Sequence, residues 1–181
     1  MENEKFKKPF ERSYWVVPGK VMAGRYPGDR EDQKAREKVR AILDCGVRCC
    51  INLIDENSTD LIPYSPYLME IAEELGVDAT YVRFPIVDLS IPTETTMRII
   101  LDTIDNALQK DLPVYIHCMG GIGRTGTVVA CWLIRHGLAT IDDFLDVIHK
   151  LREEWNEPYA VWVSPETYQQ QEFVWNWKKG M

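Results

Sequence analysis

Several features that would point to a membrane, a disulfide scaffold or a metal centre are missing. No run of about 18 uncharged apolar residues occurs, which leaves no candidate membrane-spanning helix. The N-terminal residues lack the apolar core of a secretory leader, so a soluble, cytoplasmic protein is expected. Histidine is scarce: His117, His136 and His149 lie too far apart to announce a metal cluster. The five cysteines, Cys45, Cys49, Cys50, Cys118 and Cys131, are odd in number and contain no Cys-x-x-Cys pair. Neither a disulfide framework nor a zinc site follows from them. No metal and no cofactor are expected. Excess positive charge is also absent, with 21 Lys and Arg against 28 Asp and Glu, a net charge of -7. Such a field disfavours nucleic acid and anionic membrane as partners, so an anionic substrate must be held by a local site. The short cluster Lys5, Lys7 and Lys8 is interleaved with Glu2, Glu4 and Glu11 and reads as a solvated tail.

What is present fits one folded unit, with residues 1–12 as a tail and 13–181 as a single domain. At 181 residues and 45% hydrophobic content, the chain has enough apolar material for one core. Residues 14–28 read as a strand pair broken at Pro18-Gly19 and Pro27-Gly28. Ala35, Val39 and Ile42 recur at helical spacing over 31–45, and Gly46 follows as a stop. The β-prone run 47–54 suits a buried strand. A helix over 67–75, a strand over 77–85 and a helix opened by Pro92-Thr93 come next, the last with Met97, Ile100, Leu101, Ile104 and Leu108 as its buried stripe. Residues 112–117 form another strand, 127–136 a buried helix, and 141–155 and 165–178 two more helices. This alternation predicts an α/β fold, a three-layer sandwich with a central mostly parallel sheet flanked by helices.

Specific chemistry begins where the strand ending at His117 runs into Cys118-Met119-Gly120-Gly121-Ile122-Gly123-Arg124-Thr125-Gly126. Strand, glycine-rich loop and helix start follow one another directly, which gathers unpaired N–H groups around an anion. Glycines at 120, 121 and 123 leave room for the backbone to close round a phosphate. No Gly-Lys-Ser/Thr ends the loop, so it is not a Walker loop. Instead Cys118 begins it and Arg124 ends it, a spacing that puts a sulfur beneath a phosphorus while the guanidinium grips two oxygens. The amides, the helix dipole and Arg124 all favour a thiolate at Cys118. Met119, Gly120, Gly121, Ile122, Gly123 and Arg124 are thus the candidate substrate-binding positions. Thr125 is placed to donate to the sulfur, and His117 to brace the loop.

These residues resemble the His-Cys-x-x-Gly-x-x-Arg-Ser/Thr signature of the protein-tyrosine and dual-specificity phosphatase superfamily, matched at every fixed position. The Gly-x-Gly-Arg-Thr-Gly ending is most similar to the small dual-specificity branch, and the likeness spans roughly Val16 to Trp175. The resemblance implies the phosphatase fold and a general-acid aspartate on an upstream loop. Pro85-Ile86-Val87-Asp88 resembles that loop and puts Asp88 in the acid position, with Asp55 as a competitor that would otherwise line the rim. Pro165 to Phe173 resembles the family's Pro-x-Thr-x-x-Gln-x-x-Phe helix, which implies that Gln170 orients the hydrolytic water. Enzymes of this branch that act on phosphoinositides carry lysines in the loop, where this chain has Met119 and Ile122. A phosphoprotein substrate, phosphotyrosine ahead of phosphoserine or phosphothreonine, is therefore expected, acted on by a monomer. Tyr64 or Tyr67 offers a ring to stack on a phosphotyrosine. The alternatives are a non-protein phosphoester such as a phosphoinositide or nucleotide, a phosphate-binding pseudophosphatase, and sulfur transfer or arsenate reduction.

Overall fold

The computed structural model describes residues 7–55, 61–156 and 158–181. Five strands form one sheet in the order β1-β2-β5-β3-β4: β1 (Ser13–Val17), β2 (Val21–Gly24), β3 (Cys49–Ile54), β4 (Thr80–Ile86) and β5 (Val114–His117). Only the β1–β2 pair is antiparallel; β2–β5, β5–β3 and β3–β4 are parallel. All six residues of β3 are buried, as an unbroken apolar run requires when both faces of a parallel strand are covered. β4 sits at the edge and is largely half-exposed, with only Ile86 buried.

Six helices cover the sheet: α1 (Asp32–Asp44), α2 (Ser65–Leu75), α3 (Glu94–Gln109), α4 (Gly123–Arg135), α5 (Phe144–Leu151) and α6 (Tyr168–Trp175). α1 and α2 pack on each other, while α4 gathers α3, α5 and α6 around itself. The three-layer arrangement expected from the alternation of elements is the one observed. α1 buries Ala35, Val39, Ile42 and Leu43, and α3 buries Met97, Ile100, Leu101 and Ile104, the stripes read from their spacing. α4 is buried from Gly123 to Ile134 on every side, which makes it the central helix of its layer.

Several helix boundaries differ from expectation, three of them with a visible cause. α4 starts at Gly123, not Thr127, because its first turn is the end of the anion loop and carries glycine for clearance despite its poor helix propensity. α6 starts after Thr167, whose hydroxyl accepts from Gln170 N in a full capping box. α5 ends before Arg152, whose guanidinium turns inward to the carbonyls of Tyr159 and Trp162. Lys5 of the N-terminal cluster lies outside the described residues. Lys8 pairs with Glu154 at 2.6 Å, and Phe10 packs edge-on against Tyr115, so residues 8–10 are docked on the domain.

Candidate active site

β2, β5, β3 and β4 run the same way, so their C-terminal ends, Gly24, His117, Ile54 and Ile86, share one edge of the sheet. Ligand sites of parallel sheets form at that edge, where the chain leaves each strand. Here it collects Arg25, Cys118, Asp55 and Asp88 from four separate segments.

The loop from Cys118 to Arg124 curls as its glycines predict. Gly121 has φ +77, and a Cβ there would lie 2.4 Å from the carbonyl carbon of Gly24. Any other residue would have to displace a neighbouring strand as well as adopt a left-handed backbone. Gly121 N–H donates to Cys118 Sγ at 3.3 Å. The sulfur is therefore within reach of a loop amide. At the far end of the loop Ser164 Oγ donates to Ile122 O at 2.7 Å. A Cβ on Gly126 would meet that same Oγ at 2.1 Å, so the last glycine of the motif clears a path for this tie.

Arg124 is buried, with Nη1 donating to Ile86 O at 3.0 Å and lying 3.5 Å from Asp55 Oδ2. Its Nη2 pairs with Asp88 Oδ1 at 2.7 Å, where the Asp88 side chain is 69% exposed and that of Arg124 only 2%. Nε of Arg124 is buried without a hydrogen-bond partner. The structure thus brings Cys118, Arg124 and Asp88 together, and Asp55 beside them as an anchor for the guanidinium. Asp88 sits in a tight turn closed by Ser90 N to Val87 O at 3.1 Å.

His117 is fully buried at the start of the loop. Its Nδ1 lies 3.2 Å from Cys118 O and its Nε2 lies 2.8 Å from Tyr64 Oη. A carbonyl only accepts, so Nδ1 carries the proton and Nε2 accepts from the Tyr64 hydroxyl. Burial first, against the Cys118 carbonyl and with Arg124 adding to it, pushes the His117 pKa from 6.5 down to about 3. Burial also raises the Tyr64 phenol well above its ordinary value, which keeps it a donor.

Tyr64 is consequently not available to stack on a substrate ring: it is 1% exposed and lies inside. Tyr67 is also engaged, donating to Asp32. The Tyr64 brace escaped sequence reading because it joins residues 53 positions apart. The expected hydrogen bond from Thr125 to the sulfur is not formed, since Thr125 Oγ1 is buried without a partner. Gln170 is fully buried, and its amide is already committed. The carbonyl oxygen accepts from Glu166 N and Thr167 N, each at 3.1 Å, and Nε2 donates to Ser90 O at 3.1 Å on the acid loop. Cys49, Cys50 and Cys131 are core residues whose thiols burial pushes up, Cys50 to about 12.

Residues 27–138, more than half of the chain, match the family described as "Polymorphic toxin system, DSP-PTPase phosphatase". An uncharacterized protein of Methanocaldococcus jannaschii is 38% identical over 90 residues, which cover 50% of this chain and 50% of that protein. Dual specificity protein phosphatase CDC14A of Mus musculus is 24% identical over 124 residues, covering 67% of this chain and 19% of its own length. The alignments thus span half of one curated relative and a smaller part of the other. Among solved structures, Tk-PTP in its active form superposes with a TM-score of 0.65 at 23% identity, over 90% of this chain and 93% of that one. That likeness is one of fold. No described helix is long and apolar enough to cross a membrane.

Proposed function

This chain belongs to the DSP-PTPase phosphatase family of the protein-tyrosine phosphatase superfamily, and on that premise we propose that it hydrolyses phosphomonoesters on protein, phosphotyrosine first, through a cysteinyl-phosphate intermediate. The observation that carries the reading is the 3.3 Å contact from Gly121 N–H to Cys118 Sγ, which aims the sulfur into the amide cradle. With a phosphate in the cradle, Arg124 and the loop amides hold its equatorial oxygens. The Cys118 thiolate attacks phosphorus, the ester P–O bond breaks, and Asp88 gives its proton to the departing oxygen. Water then attacks the S–P bond, Asp88 takes a proton from that water, and phosphate leaves with the thiolate restored. Every step uses side chains of this chain.

The geometry supports particular parts for three further residues. A phosphate dianion entering the cradle replaces the Asp88 carboxylate at Arg124 Nη2 and turns the acid toward the leaving group. Asp55, at 3.5 Å, holds the other guanidinium nitrogen in place throughout. Gln170 is better suited to hanging the acid loop from α6 than to orienting water, because its amide oxygen is already shared by two N–H groups. The hydroxyl of Thr125, without a partner among the described residues, is a donor for the sulfur as it leaves phosphorus. Apolar Met119 and Ile122 in the loop favour a phosphoprotein over a polyphosphorylated inositol headgroup.

The test is turnover of para-nitrophenyl phosphate and of a phosphotyrosyl peptide by the purified chain. Both are expected to be hydrolysed, and rapid acid quench should trap phosphate on Cys118. The Cys118→Ser variant should be inactive yet bind the peptide. Turnover of thiosulfate or arsenate with none on aryl phosphate would replace this reading with sulfur transfer or arsenate reduction.

A further inference from the structure

β2 ends on Gly24, the register partner of His117, and the next residue, Arg25, is pressed against the cradle from outside. A Cβ on Gly121 would lie 2.7 Å from Arg25 N, and the following amide, Tyr26 N, donates to Met119 O at 3.1 Å. Arg25 N itself donates to Arg12 O at 3.0 Å, just ahead of β1. Arg12 is held at φ 59, a left-handed conformation unfavourable for a residue with a Cβ. Its guanidinium lies over the Tyr159 ring, 4.0 Å from the centroid. Stacking of that kind fixes the plane of the fork and leaves its edge N–H groups to bond elsewhere.

Two arginines are therefore joined backbone to backbone beside the proposed phosphate site. Ion pairs occupy Arg36, Arg40, Arg98, Arg124 and Arg135, and Arg48, Arg83 and Arg152 donate to backbone carbonyls; among the described residues, exposed Arg30 apart, Arg12 and Arg25 alone have a guanidinium with neither kind of partner. Burial and then Arg25 lower the Arg12 pKa, and the raising influence of Glu11 ranks behind that of Tyr159. Glu11 itself accepts from Asn156 Nδ2 at 3.4 Å. Arg25 Nε is buried without a hydrogen-bond partner among the described residues, which leaves its desolvation uncompensated. In a protein of net charge -7 carboxylates are plentiful, yet none among the described residues pairs with either guanidinium. An anion placed against both guanidinium groups would relieve the repulsion and supply the missing acceptor.

We propose that Arg12 and Arg25 form a second anion subsite flanking the cradle, which takes a carboxylate or second phosphate carried on the polypeptide next to the phosphorylated residue. The subsite rests on the phosphatase reading and narrows its substrate to acidic or doubly phosphorylated segments. A peptide fits better than a headgroup because the surface beyond Tyr159 is apolar, with Val161 and Trp162 62% and 45% exposed.

Three phosphotyrosyl peptides decide the matter, with neutral flanks, with glutamate flanks and with a neighbouring phosphothreonine. In the wild type, kcat/KM for the two acidic peptides should exceed that for the neutral one by about tenfold, an advantage that shrinks with salt. In Arg12→Gln, Arg25→Gln and the double variant that ratio should fall toward one, mostly through KM, and further than any change on para-nitrophenyl phosphate. A ratio of one in the wild type, a ratio that survives the double variant, or equal losses on neutral and acidic peptides would each overturn the subsite. Preferred hydrolysis of vesicles carrying an inositol bisphosphate, with the same arginine dependence, would overturn the polypeptide assignment. Anisotropy of the three peptides on Cys118→Ser gives the same ratio without turnover. Equal affinities there sink the subsite, whereas a dead wild type with the affinity difference intact sinks only the phosphatase reading.

Discussion

The loop that holds the sulfur is packed over most of its length, with Met119 left exposed: Gly121 abuts Gly24 and Arg25, Gly126 abuts Ser164, and Cys118, Ile122, Arg124 and Thr125 are buried. Across the site, the turn that holds Asp88 exposes Val87 and Leu89 to solvent. It is tied back by Gln170 Nε2 on Ser90 O, by Thr167 Oγ1 on Leu89 O at 3.4 Å, and by the Asp88–Arg124 pair. The proposed nucleophile and clamp are thus preorganised by packing, where displacement by a few tenths of an ångström meets backbone. The acid hangs from polar contacts alone, few enough for a phosphate to rearrange them. A group that must release a proton in one step and accept one in the next gains from such a mounting.

Removal of the clamp should cost most. Arg124→Ala is expected to lower kcat/KM on para-nitrophenyl phosphate on the order of 10³- to 10⁴-fold, because a buried charge that steadies the transition state is lost. Asp88→Asn should cost roughly 10²- to 10³-fold in kcat with KM nearly unchanged, and more on a phosphotyrosyl peptide than on para-nitrophenyl phosphate, whose leaving group needs less protonation. Equal effects of Asp88→Asn on the two substrates would move the acid to another residue, Asp55 first. Gln170→Ala should lower kcat about tenfold with the same leaving-group bias, since it loosens the acid and leaves the cradle whole. A loss that is uniform across leaving groups would instead assign Gln170 to α6 stability alone.

The mildest break in the comparison is by pH. Burial holds the His117 pKa at about 3 in the fold against 6.5 ordinarily. Between those values the unfolded chain binds a proton that the folded chain does not, so stability rises with pH there. The contribution is present above pH 6.5 and is lost as pH falls toward about 3. His117→Asn should have a lower Tm than the wild type at neutral pH but a shallower decline across that window. Parallel declines would mean that the acid sensitivity originates elsewhere.

The packed half of the site was the legible half. Cys118, the glycines and Arg124 sit in one short segment, so spacing alone carries their geometry, and the β3 run and the α3 stripe were equally local. Asp88 was found through the proline-bracketed turn that resembles a family loop. What the sequence hid is what joins distant segments: the Tyr64 brace, the Asp55 anchor and the Ser164 tie. Tyr64 reads as a surface aromatic until the fold buries it against His117. The glycine-rich start of α4 reads as loop, because propensity counts the missing side chains while the structure uses the bare amides.

The span of these joins has a consequence for how the protein acquires its activity. Ser164 reaches back 42 positions to Ile122, Tyr64 reaches 53 to His117, and Gln170 reaches 80 to Ser90. Contacts that close such large loops form only after most of the chain entropy has been surrendered. Recovery of turnover during refolding should therefore lag behind recovery of helical signal, which makes catalysis the strictest gauge of whether the last segments have docked.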